Sequence, residues 1–214
     1  MTRKLLVLIL IWPLTVFSGL AWAQPTLDDL FKAVRIGNTA EVQELLSRGM
    51  DVNSTDRAGN SILMEATREG KPDIVELLIK RKVKVNAQNA VGDTAIMIGA
   101  LTGRYEIVQL LRRGGAKLDQ PGWTALHYAA FGGHTRICAF LIKEGAVVDA
   151  AAPNGTTPLM MAAREGQADA AKVLLEARAD PNAKTDAGRT ALQWASASGN
   201  SEIVGLLKAA GAKE

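Results

Sequence analysis

The chain has 214 residues, 48% of them hydrophobic and 22% charged. That balance excludes a disordered polymer and leaves room for one substantial domain or a repeat array. The formal net charge is only +3, and a lone cysteine, Cys138, excludes an internal disulfide, so stability has to come from packing.

The first 24 residues read MTRKLLVLILIWPLTVFSGLAWAQ. Arg3 and Lys4 form a positive start, Leu5 to Phe17 an apolar stretch broken by Pro13, and Ala21-Trp22-Ala23 a small-residue cleavage box. This order predicts a secretory signal peptide cut after Ala23. The alternative is an uncleaved anchor, because Leu5 to Ala23 approaches the roughly 20 apolar residues that a spanning helix needs. Cleavage would remove Arg3 and Lys4 and leave 23 basic against 22 acidic side chains. A chain so close to neutrality has no bulk field to attract nucleic acid.

Beyond the leader the chain repeats itself. The segments DDLFKAVRIGN, SILMEATREGK, TAIMIGALTGR, TALHYAAFGGH, TPLMMAAREGQ and TALQWASASGN start at residues 28, 61, 94, 124, 157 and 190, which puts them 33, 33, 30, 33 and 33 residues apart. Their downstream halves match as well, from EVQELLSRGMDVN to IVGLLKAAGAKE. Thr94, Thr124, Thr157 and Thr190 open short helices, with a hydroxyl able to satisfy exposed N–H groups. Small pairs such as Ala129-Ala130 let neighbouring helices approach, and a glycine ends each first helix at a fixed place (Gly37, Gly70, Gly103, Gly133, Gly166, Gly199). A second helix follows with apolar residues at helical spacing, for example Ile74, Val75, Leu77 and Leu78. A V-N or V-D segment and a glycine turn lead to the next copy. The domain plan is a leader over 1–23 and one repeat domain over 24–214, with repeats starting near 25, 58, 91, 121, 154 and 187.

The 33-residue period and the T-[PA]-L-[HM]-x-A-A and G-A-x-V-N/D patterns resemble the ankyrin repeat family. The resemblance covers roughly residues 25–214. It implies an all-α solenoid of helix–turn–helix pairs, with β-hairpin-like fingers to one side, in an L-shaped, curved stack. One helix pair cannot bury its apolar face alone, so the copies have to stack. The first copy, with Asp28-Asp29 and the polar Gln43 and Glu44, reads as an N-terminal cap, and KAAGAKE as the C-terminal one. Lys82 and Lys84 replace the usual G-x-D in the second copy and predict a less rigid loop. The third copy lacks three residues between Asp119 and Trp123, which predicts a shortened finger stiffened by Pro121.

The resemblance gives His127 and His134 structural places in the fourth copy, and register puts Cys138 with Val75, Val108 and Val204 as a small core residue. The competing reading is a metal, redox or catalytic protein built on these three residues. No G-x-S-x-G, G-x-x-x-x-G-K-[ST], H-E-x-x-H or C-x-x-C motif supports it. The sequence therefore predicts no catalytic residue, no metal ligand and no cofactor. The basic runs lack an aromatic stacking platform, which argues against nucleic acid.

In the family, partners are held on the concave face, by finger tips and by exposed positions of the first helix. Trp123 and Phe131 stand at positions that are normally polar, with Leu101 one repeat away. Tyr128, Met161 and Trp194 share the next position along the helix. These residues predict an apolar strip rimmed by Arg68, Glu69, Arg164 and Glu165, either as an interface or as packing between repeats. The expectation is a monomeric, non-enzymatic module of the periplasm of a Gram-negative-type bacterium, binding an unidentified protein. A secreted toxin to be neutralised and an envelope enzyme to be supported both fit, and an uncleaved leader would instead tether the array to the inner membrane.

Overall fold

The computed structural model describes residues 25–213; the expected leader lies outside them. Among the described residues the chain forms twelve helices in six antiparallel pairs. The first helices of the pairs are α1 (Leu27–Ile36), α3 (Ile62–Arg68), α5 (Ala95–Leu101), α7 (Ala125–Phe131), α9 (Pro158–Glu165) and α11 (Ala191–Ala197). The second helices are α2 (Thr39–Ser47), α4 (Pro72–Lys80), α6 (Tyr105–Arg113), α8 (Thr135–Lys143), α10 (Ala168–Glu176) and α12 (Ser201–Ala209). Each first helix packs on the next first helix and each second helix on the next second one, which makes two parallel layers. No described helix is long and apolar enough to cross a membrane.

One core runs through the stack. Leu30, Leu63, Ile96, Leu126, Leu159 and Leu192 occupy one register position of the first helices, and all are buried. Leu45, Leu78, Leu111, Leu141, Leu174 and Leu207 do the same for the second helices. Small residues set the spacing: a Cβ on Gly99 would meet Val108 Cγ2 at 3.1 Å and Thr67 Cγ2 at 3.2 Å. Gly103 ends α5 with φ +71°, and a Cβ there would also strike the His134 ring at 2.7 Å, so both conformation and space demand glycine.

Every first helix begins with the same device. The third helical residue turns its side chain back to accept a hydrogen bond from the N-cap backbone N–H. Six side chains do this with four chemistries: Asp29 Oδ2 from Thr26 at 2.8 Å, Met64 Sδ from Ser61 at 3.4 Å, Met97 Sδ from Thr94 at 3.3 Å, His127 Nδ1 from Thr124 at 3.1 Å, Met160 Sδ from Thr157 at 3.5 Å and Gln193 Oε1 from Thr190 at 3.1 Å. The first copy departs from the sequence register here. Its cap is Thr26, two residues before Asp28, and both aspartates lie in the first turn, where the helix dipole favours them.

The V-N/D segment is a staple between repeats. Asn53 accepts from Lys84 N–H and Asn86 from Lys117 N–H, both at 2.8 Å. Asp119 accepts from Val147, Asp149 from Asp180 and Asn182 from Lys213. The staple holds Lys84, so the second loop keeps the common path despite lacking its glycine. Lys82 takes the left-handed conformation itself, φ 60°, as Arg178 does at φ 65° in the fifth copy. The fingers are tight turns rather than strands: Asp56 N–H bonds Asn60 C=O at 2.9 Å and Thr185 N–H bonds Arg189 C=O at 3.0 Å. One isolated bridge, Thr55 with Ser61, is the extent of β pairing among the described residues.

Candidate functional site

The first helices present two rows of variable residues beside the fingers. One row runs Lys32, Glu65, Ile98, Tyr128, Met161, Trp194; the other runs Arg35, Arg68, Leu101, Phe131, Arg164, Ala197. At the start of the array the rows close on each other through charge. Glu65 lies 2.8 Å from Arg68 and 3.5 Å from Arg35. Beside this cluster, Leu27, Phe31 and Arg57 help to line a groove of about 690 Å³ that the sequence pattern did not single out.

The centre and end of the rows are aromatic. The Arg164 guanidinium carbon lies 5.7 Å from the Phe131 ring centre and 5.6 Å from that of Trp194, so one cation of the fifth repeat bridges rings of the fourth and the sixth. Arg164 also meets Glu165 at 2.7 Å. Trp123 stands edge-on to His127, with ring centres 5.2 Å apart. The Tyr128 hydroxyl donates to Asp93 Oδ1 at 2.6 Å, tying the fourth repeat to the finger at residues 89–93. Burial, with the Asp93 carboxylate beside it, pushes the Tyr128 phenol well above its usual range.

The structure brings Phe131, Arg164 and Trp194 together, while Trp123 stands beside His127 and Tyr128 on Asp93. Leu101 is 37% exposed; Trp123, Tyr128, Phe131 and Trp194 are half-buried against the core. Glu69, Arg164 and Glu165 are exposed at the rim, and Arg68 is half-buried in its ion pair. Met161 is a correction: it is only 6% exposed and belongs to the core. Its flexible thioether chain folds into the space between repeats, whereas the rigid Tyr128 ring at the same register reaches out to Asp93. Phe131 and Trp194 combine packing against the core with partial exposure.

The His/Cys group has structural work. His127 is fully buried. Its Nδ1 accepts from Thr124 N–H, so Nε2 carries the proton and donates to Thr156 C=O at 2.9 Å. Burial lowers its pKa, against which the bond to Thr156 pulls upward. His134 Nε2 lies 2.9 Å from Leu101 C=O, at the end of α5. Its equivalents reach the same way: Arg104 to Arg68 C=O, Gln167 to Phe131 C=O, Asn200 to Ala163 C=O. These donors satisfy carbonyls that a helix end leaves open. Cys138 is buried, and burial pushes its thiol up to about 12, far from a reactive thiolate. Among the described residues no three His, Cys, Asp or Glu side chains are grouped to hold a metal ion.

Family models for ankyrin repeats match residues 30–121 and 115–185, in blocks of three copies, and a single-repeat model matches 187–213. The chain belongs to the ankyrin repeat family. The crystal structure of the human ASB11 ankyrin repeat domain superposes with TM-score 0.80 at 26% identity, over 86% of this chain and 84% of that one. Among curated relatives, the Drosophila melanogaster ankyrin repeat and KH domain-containing protein mask is 46% identical over 69 residues, 32% of this chain and 2% of the relative. Neurogenic locus notch homolog protein 1 of Danio rerio is 36% identical over 97 residues, 45% of this chain and 4% of the relative. The chain therefore spans only a few per cent of the length of these relatives. Ankyrin arrays are protein–protein interaction modules and generally non-catalytic, and this array has the same architecture.

Proposed function

We propose that this ankyrin array is a monomeric, non-enzymatic binding module of the periplasm of a Gram-negative-type bacterium, holding a partner protein against the finger side of its first helices. The observation that carries the reading is the set of exposed and half-buried residues Leu101, Trp123, Phe131 and Trp194, the last two rings bridged by Arg164. Half-buried rings fixed by packing, with charges at their rim, are the usual anatomy of a binding hot spot. The compartment rests on the order of residues 1–23, which reads as an export leader removed after Ala23. A secreted toxin and an envelope enzyme are the partner types this compartment offers.

The test is capture from periplasmic extract by the wild type and by the Trp123→Ala/Phe131→Ala double variant. Loss of one captured protein, with helical content unchanged by circular dichroism, supports the face. Capture by both alike removes the site assignment. The intact mass of the exported protein reads the leader directly: a mass starting at Gln24 supports export, and a full-length mass in the membrane fraction supports the tether.

A further inference from the structure

The row of fingers is interrupted in its middle. Ala90 N–H donates to Ala58 C=O at 3.1 Å, joining the second finger (residues 56–60, at the start of the second repeat) to the third (residues 89–93, at the start of the third repeat). Asp186 N–H donates to Asn154 C=O at 3.1 Å, joining the last two. The same step repeated from the third finger would use Val91 C=O as acceptor. The three-residue deletion leaves only Gln120-Pro121-Gly122 there, and among the described residues no backbone bond joins this turn to either neighbour. On the far side the donor position is Pro153, which has no N–H to give.

The glycines report the same break independently. A Cβ on Gly59 would meet Ala90 N at 3.2 Å, and one on Gly155 would meet Asp186 N at 3.0 Å, because the next finger lies against each. A Cβ on Gly92, the equivalent residue of the third finger, would meet nothing within 4 Å. Gly188, at the end of the row, is equally open. The third finger thus has the free edge of a terminal finger although three repeats follow it. Val91 on that edge is 80% exposed, and the half-buried Trp123 follows the shortened turn.

We propose that this break is a slot for an extended segment of the partner, which takes the place of the missing finger. The proposal rests on the binding reading above and names the kind of segment bound. A backbone N–H of the segment donates to Val91 C=O, and an apolar side chain packs against Val91 and Trp123. An unpaired main-chain edge beside an apolar wall is what strand addition uses: main-chain bonds hold the segment and alternate side chains select it. The chain's own fingers cannot close the gap, since one is too short and the other is proline at the donor position.

The probes are short linear peptides selected from a random displayed library on the full chain. Three changes should each weaken the selected peptides by about tenfold or more. One restores the finger by inserting Asp-Arg-Ala, the sequence of residues 56–58, between Asp119 and Gln120. The second is Val91→Lys, an exposed substitution that leaves folding alone and places an edge-blocking charge. The third is a single backbone N-methyl group on the peptide, at the position that pairs with Val91. Peptides that bind both variants with unchanged affinity, tolerate N-methylation at every position, or cannot be selected at all overturn the slot. If the Trp123/Phe131 double variant loses the peptides while the slot variants keep them, the slot fails and the binding face stands. If all variants keep them, both fail.

Discussion

The second and fifth repeats share a backbone and almost a core, yet they spend the same surface positions differently. In the second, Glu65 and Arg68 hold each other at 2.8 Å, and Arg35 of the preceding repeat joins them. In the fifth, Met161 has withdrawn into the core and Arg164 lies between Phe131 and Trp194. A partly exposed ion pair of this kind is worth little in water and weakens with salt. A guanidinium over aromatic faces covers apolar surface and is screened less. The core positions keep the array together, so the facing positions are free to differ, and the aromatic end is the part suited to a partner.

Two alanine substitutions sharpen that contrast. Arg164→Ala should cost about 1–2 kcal/mol, because two ring contacts of about 0.5–1 kcal/mol each are lost. It should also shift tryptophan emission through Trp194. Arg68→Ala should cost about 0.5 kcal/mol after solvent screening, and that loss should shrink but persist in high salt, because the Glu65 side chain is only 12% exposed. Urea denaturation at low and high ionic strength separates them. Equal, equally salt-sensitive losses would mean that the two ends are stabilised alike.

Much of this was legible in the sequence because it is written six times. A glycine at one fixed place in all six copies marks a helix end more surely than any propensity. The structure adds what residue classes conceal. Asp29, Met64, Met97, His127, Met160 and Gln193 share no class; they share only a lone pair at the right reach, so their common capping role shows only as bonds. The Asn/Asp staple read as loop punctuation because its partner is a backbone N–H about thirty residues away. The helix α1 begins before the position that the repeat register gives it, with its cap at Thr26 rather than at Asp28, because α1 is ten residues long where α5 is seven. The candidate strip was visible in the sequence as a set of rings, but not its depth: one register position holds Tyr128, which reaches Asp93, and Met161, which is buried.

The capping position offers a second contrast, between a thioether that cannot titrate and an imidazole that can. Met64 accepts from Ser61 N–H, and His127 accepts from Thr124 N–H while also donating to Thr156. His127 has its folded pKa lowered from 6.5, chiefly by burial. Between 6.5 and that lower value the unfolded chain binds more protons, so stability is fully present above 6.5 and is lost as the pH falls through the window. His127→Gln keeps an acceptor, as Gln193 does in the last repeat. It should cost about 1 kcal/mol at neutral pH through the bond to Thr156, and the gap to wild type should narrow as the pH drops. Urea midpoints at pH 7.5 and 5.5 decide; a gap that stays constant would show that the histidine does not set the acid sensitivity.

The smallest expected effect lies in the loop after α4. At the place where the fourth repeat has Gly145 at φ 94°, the second repeat has Lys82 at φ 60°. A residue with a Cβ pays about 1–2 kcal/mol to sit in the left-handed region. Lys82→Gly removes that strain but gives the unfolded chain more freedom, worth about 0.5–1 kcal/mol in the other direction. The net gain is then about half a kcal/mol. The staple from Asn53 to Lys84 N–H fixes the path of the loop on its far side, so the backbone has no route to relax the strain by moving. A higher urea midpoint with an unchanged m-value is the expected result. A lower midpoint would show that the Lys82 side chain contributes more through its contacts than its backbone loses, and the second repeat would then be a loop specialised around lysine rather than one that tolerates it.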